Sequence, residues 1–117
     1  MKNVILGMML LLVALSAQSQ GIRNKNAKHI FVVNGNCEQC QRRIQKAAYA
    51  VNGVKSAIWS IETHQLALTI NEEKTTVIEV KKAIAKVGHD NDEVKSSKET
   101  YQKLPDCCQY DRTLQLK

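Results

Sequence analysis

Two cysteines three positions apart, Cys37 and Cys40, stand in the run Asn34-Gly35-Asn36-Cys37-Glu38-Gln39-Cys40, where a short apolar stretch hands over to an amphipathic one. At a helix start, two such thiols face unpaired backbone N–H groups and the positive end of the helix dipole, and both favour thiolate over thiol. Thiolate is the form that binds soft metal ions and also the form that attacks disulfides, so two chemistries are open. A second pair, Cys107 and Cys108, lies near the other end of the chain. Neither local pair resembles an ordinary structural staple, because a CxxC bridge closes a tiny loop and a vicinal bridge a strained ring. Two long-range bridges between the pairs remain open.

Other chemistries find little support. The acids are scattered, the serines sit in polar turns, and no Gly-rich phosphate loop occurs. The net charge of +6 is spread among acids along the chain, and its five aromatics (Phe31, Tyr49, Trp59, Tyr101, Tyr110) do not interleave with a basic cluster. That pattern argues against nucleic acid and reads as solubility, with a modest basic excess that suits an acidic partner. At 117 residues the chain has room for one small domain.

The elements that must position the thiols can be read in order. Lys2, the apolar run Val4 to Leu15 and the small-residue ending Ser16-Ala17-Gln18-Ser19 predict a secretory signal peptide over residues 1–19, cleaved after Ser19. The run is well short of the roughly 20 residues a membrane span needs, so no stable membrane insertion is expected after cleavage. Residues 20–27 read as a flexible lead. Lys28 to Val33 predicts a strand, and Cys40, Ile44, Ala47, Ala48 and Val51 form the apolar stripe of a helix that Asn52-Gly53 ends. Ala57, Trp59 and Ile61, then Leu66, Leu68 and Ile70, alternate as a hairpin around Glu62-Thr63-His64-Gln65.

Thr76 and Glu79 then form a capping box for a second helix. Its buried stripe is Val77, Val80, Ile84 and Val87, its solvent face Lys81, Lys82 and Lys86, and its stop Gly88. A short edge strand around Glu93 to Lys95 would complete the sheet. The expected fold is therefore α+β, a ferredoxin-like β-α-β-β-α-β sandwich with two helices on one face of a four-stranded antiparallel sheet. In that topology the loops after the first strand and after the second helix emerge together, which brings Cys37 and Cys40 near Gly88-His89. Ser97 to Leu104 adds a helical turn or two before Pro105.

The run Val33 to Cys40, the helix after it, Asn52-Gly53-Val54, the hairpin and the second helix ending at Gly88 resemble the heavy-metal-associated domain of copper chaperones, copper-ATPase N-terminal modules and periplasmic mercury-binding proteins. The resemblance covers residues 28–95; residues 96–117 are a C-terminal extension beyond it. It implies a monomeric, non-catalytic carrier holding a soft ion on Cys37 and Cys40, with Cu(I) favoured and Hg(II), Zn(II) or Cd(II) as alternatives. The ion would pass by ligand exchange to a metal-transporting membrane protein or another metal-binding domain. With the leader, the resemblance places the protein outside the cytoplasm, in the periplasm.

Two positions depart from the family. Gly35 stands where the family carries a Met packed beneath the loop, and His89 stands where it commonly has Tyr, Phe or Lys near the metal. Neutral imidazole makes His89 a candidate third donor, set against a plain surface His. Cys107 and Cys108 offer further thiols that join the metal site, pair with the CxxC as disulfides, or act locally. Arg42 and Arg43 read first as a solvated helix face, with a role in raising thiolate character left open. His29 and His64 read as solvated, His64 at the end of the sheet away from the cysteines.

Two further functions stay beside the carrier. A thiol-disulfide oxidoreductase would use the same CxxC, although the order of elements lacks a thioredoxin-like start and Pro105 is the only proline. A disulfide-stapled structural domain would use all four cysteines as cross-links.

Overall fold

The alternation in the strand segments decides the architecture. In the computed structural model, which describes residues 23–113, β1 (Ala27–Val32), β2 (Val54–Trp59) and β3 (Gln65–Ile70) form an antiparallel sheet in the order β1-β3-β2. Phe31 and Trp59 both pair with Leu66, and His29 and Ala57 both pair with Leu68, so every second side chain turns to one face. That face carries the buried Phe31, Ala57, Trp59, Leu66, Leu68 and Ile70, while Ile30 and Ile58 stand exposed on the other. The expected leader, with its cleavage point after Ser19, lies outside the described residues. Among those residues, no helix is long and apolar enough to cross a membrane.

Two helices close the core. Helix α1 (Glu38–Tyr49) buries Cys40, Ile44, Ala47 and Ala48, the stripe its sequence predicts, and packs against β2 and α2 (Val77–Lys86). Thr76 caps α2, its hydroxyl accepting from the Glu79 amide at 3.4 Å, an arrangement that contributes about 1 kcal/mol. Gly53 and Gly88 follow the helices with φ of 108° and 114°, left-handed backbone that a side chain would oppose.

Three expectations are corrected. No fourth strand forms at Glu93 to Lys95: among the described residues the sheet has three strands, and a single bridge joins Asn91, just before that segment, to Val33. Its polar groups are spent on a turn instead. The Asn91 side chain accepts from the amides of Glu93 and Val94, at 3.1 and 2.9 Å, and Asp90 accepts from Ser96 at 2.7 Å. Lys81 is not on a solvent face but 4% exposed, with Nζ 2.9 Å from Asp92 and 4.8 Å above the Phe31 ring, so the turn's acids neutralise it. His64 lies at the cysteine end of the sheet, because antiparallel pairing sets Gln65 opposite Val32 and the Val33 amide donates to the His64 carbonyl.

The chain beyond the family-like region packs onto the domain. Helix α3 (Lys98–Gln102) is capped by Ser97, and Leu104, Cys108 and Tyr110 all enter the core. Leu104 lies against Gly88, where a β-carbon would stand 2.8 Å from its Cδ2. Tyr110 donates to the Gly88 carbonyl at 2.7 Å and accepts from the Asp90 amide at 2.8 Å. Arg112 grips the Asp90 carboxylate with two nitrogens, at 2.9 and 3.0 Å.

Candidate metal centre

Cys37 is the residue that caps α1 in extended backbone, and Cys40 lies one turn in on the buried face. Their sulfurs are 3.6 Å apart. Trp59 supports the loop from beneath: its indole N–H reaches the carbonyls of Val33 and His64 at 3.0 and 3.1 Å, and the ring stacks on His64. This accounts for Gly35. A β-carbon there would meet the Cys40 Cβ at 3.0 Å and the Trp59 ring at 3.1 Å, so the indole occupies the space beneath the loop.

The C-terminal return brings the second pair of cysteines to the first. Cys107 Sγ lies 3.3 Å from Cys37 Sγ and Cys108 Sγ lies 3.6 Å from it, and all four cysteines are free thiols. The sulfurs of Cys37, Cys40 and Cys108 all lie within 4.8 Å of one another, and Cys107 Sγ lies 3.8 Å from Cys108 Sγ. Cys107 is exposed, beside Gln39 Oε1 at 3.3 Å.

The four thiols are not equivalent. Partial burial works against ionisation of Cys37, but the Cys40 amide and the neighbouring Cys107, Cys108 and Cys40 thiols outweigh it and lower its pKa to about 6. Burial pushes Cys40 up to about 12. Cys107 is pushed up to about 11, chiefly by its hydrogen bond to Cys37. Cys37 therefore ionises before Cys40 and Cys107.

His89 sits near the loop as the topology requires, but not among the sulfurs. It is fully buried, its Nδ1–H donating to the Asn34 carbonyl at 2.8 Å, which leaves Nε2 as an acceptor 3.5 Å from Arg43 Nη1. Burial holds its pKa down to about 4 against the pull of that carbonyl, so the ring is neutral. Arg43 Nη1 also donates to Cys108 Sγ at 3.2 Å. Sequence reasoning set this arginine on a solvated face; its place three residues after Cys40, on the first turns of the helix, was the only signal of its role. Arg42 does stand exposed. His29 is half-buried on the core face, and its Nε2 lacks a hydrogen-bond partner.

Comparison with known proteins points the same way as the geometry. The family profile described as Heavy-metal-associated domain matches residues 30–90. The copper chaperone CopZ of Staphylococcus epidermidis is 32% identical over 63 residues, covering 54% of this chain and 93% of that protein. A solved CopZ metallochaperone superposes with a TM-score of 0.54 at 29% identity, over 56% of this chain and 98% of its own. The N-terminal domain of a potential copper-translocating P-type ATPase from Bacillus subtilis shares the fold, with a TM-score of 0.53 at 22% identity, over 62% of this chain and 99% of that domain.

Proposed function

The chain belongs to the heavy-metal-associated domain family, and from that premise we propose that it is a non-catalytic carrier of a soft d¹⁰ metal ion held on the thiolates of Cys37 and Cys40. The observation that carries this reading is the 3.6 Å approach of those two sulfurs at the N-terminus of α1, beside a neutral His89 and the Arg43 guanidinium. Soft thiolates select Cu(I) and related ions. Cu(I) ranks first because the Staphylococcus epidermidis relative, at 32% identity, is named a copper chaperone, with Hg(II), Zn(II) and Cd(II) behind it.

Delivery would proceed by thiolate exchange with a metal-transporting membrane protein or another metal-binding domain, the protein working as a monomer. The exposed Arg42, two residues after Cys40, and Lys46 further along α1 suit an acidic partner surface. Lys2 and the apolar run after it support export to the periplasm. Native mass spectrometry of the reduced chain with Cu(I), Zn(II) and Hg(II) tests the reading: one ion per chain is expected, with Cu(I) displacing Zn(II). Absence of any complex would refute it.

One observation favours a second reading. Cys37, its thiol lowered to about 6, lies 3.3 Å from Cys107, a geometry that also suits disulfide exchange. Catalytic turnover in an insulin-reduction assay would put that reading first.

A further inference from the structure

The C-terminal return delivers one sulfur into contact with the CxxC. Cys108 is fully buried, and its sulfur lies within 4.8 Å of both Cys37 and Cys40. Sulfur spacing separates two kinds of site. With metal–sulfur bonds of about 2.3 Å, a linear two-sulfur site sets its sulfurs about 4.6 Å apart, whereas a planar three-sulfur site needs about 4.0 Å on each edge. Cys37 stands 3.6 Å from Cys40 and 3.6 Å from Cys108, both nearer the three-sulfur edge.

Charge works in the same direction. Three thiolates around a monovalent ion leave two negative charges in a partly dry pocket, and such charge needs a partner. Arg43 supplies one at 3.2 Å from Cys108, and the N-terminus of the twelve-residue α1 supplies a further partial positive charge. His89 holds the guanidinium from behind. Cys107 is placed differently: its sulfur lies 3.3 Å from Cys37 and 3.8 Å from Cys108, but it is exposed at the rim beside Gln39, whereas Cys108 is buried beside Cys37 and Cys40.

Resting on the carrier reading above, we infer that Cys108 is a third sulfur ligand, so that the ion is enclosed by Cys37, Cys40 and Cys108 beneath the returning chain. Release then proceeds by exchange at Cys108. An incoming partner thiolate forms one metal–sulfur bond as the Cys108 bond breaks, the freed thiolate takes a proton from water, and no oxidation state changes.

The test loads the reduced full chain, freed of small thiols, with one equivalent of Cu(I) under argon and counts sulfur ligands by X-ray absorption. Three sulfurs are expected for the wild type and for Cys107→Ser, and two for Cys108→Ser. Affinity in a competition titration should fall about tenfold or more for Cys108→Ser, since loss even of an outer partner of a metal ligand costs that much. Two sulfurs in the wild type or in Cys107→Ser, or three in Cys108→Ser, would overturn the inference while leaving a two-thiolate carrier in place. Failure of the wild type to take up Cu(I) at all would overturn the carrier reading and this inference with it. Should Cys108→Ser not fold, the counts for wild type and Cys107→Ser still decide the matter.

Discussion

Arg43 Nη1 lies 3.2 Å from the sulfur of Cys108, 65 positions away in the sequence, and shares the same nitrogen with His89 Nε2. The guanidinium thus ties the turn after the CxxC to the C-terminal return and sets a positive charge beside the sulfurs. Arg43→Met, which keeps the apolar stem, should weaken Cu(I) binding about tenfold, the loss typical of an outer partner of a metal ligand. Arg43→Lys should fall between, since it keeps the positive charge but replaces the planar guanidinium that reaches Cys108 and His89 with a compact, strongly hydrated ammonium. Competition titration of the three proteins checks the order.

Reactivity of the metal-free thiols should separate by position. With Cys37 lowered to about 6 and Cys40 raised to about 12, iodoacetamide should modify Cys37 with a midpoint near pH 6 and leave Cys40 unlabelled at neutral pH. The sign for stability follows. Between pH 6 and the ordinary thiol value of 9.0, the unfolded chain keeps a proton on Cys37 that the folded chain has lost. The Cys37 contribution to stability of the reduced protein therefore grows with pH across that window and is lost as pH falls through 6, while the raised Cys40 and Cys107 work the other way above 9.0. Peptide mapping against pH, with denaturant melts at pH 6 and 9, measures both. A Cys37 midpoint near 9 would contradict the assignment.

Gly35→Met, which restores the residue the family usually carries, should destabilise this chain. The added side chain would start 3.0 Å from the Cys40 Cβ and 3.1 Å from the Trp59 ring, both fully buried, so something packed must move. A loss of about 1–3 kcal/mol is expected from such overpacking. Chemical denaturation measures it, and an unchanged midpoint would show that the indole yields freely.

Most of the frame was legible because it is local. The stripe through Cys40, Ile44 and Ala48, the Thr76 cap and the Gly53 and Gly88 stops each lie within one element and obey its period. The metal-facing end was legible as a place, since topology alone brings His89 to the CxxC loop. Its contacts were not. Lys81 looks like a wet residue until the turn beyond α2 sends Asp92 and Glu93 to it, and Arg43 looks solvated until Cys108 arrives from 65 positions away. The return of the chain was visible only as an odd cluster of aromatics, Pro105 and adjacent thiols, because no periodicity marks a single long-range docking. The fourth strand failed because side-chain hydrogen bonds around Asn91 compete with a backbone ladder.

The hold of the return on the domain can be tested at Asp90. Its buried carboxylate accepts two bonds from Arg112 and one from the Ser96 amide. Asp90→Ala leaves these donors unpaired and should cost about 1–3 kcal/mol. Hydrogen exchange should rise across Leu104 to Arg112 while β1 and β3 stay protected. Equal loosening of the whole domain would show that the return is not a separable unit.

The central claim is that Cys37 and Cys40 together hold a soft ion. Competition titration of Cu(I) between a chromophoric chelator and the reduced chain, run on wild type, Cys37→Ser and Cys40→Ser, tests it most directly. Tight one-to-one binding by the wild type, lost in both variants, is the predicted result; affinity unchanged in both would contradict the account.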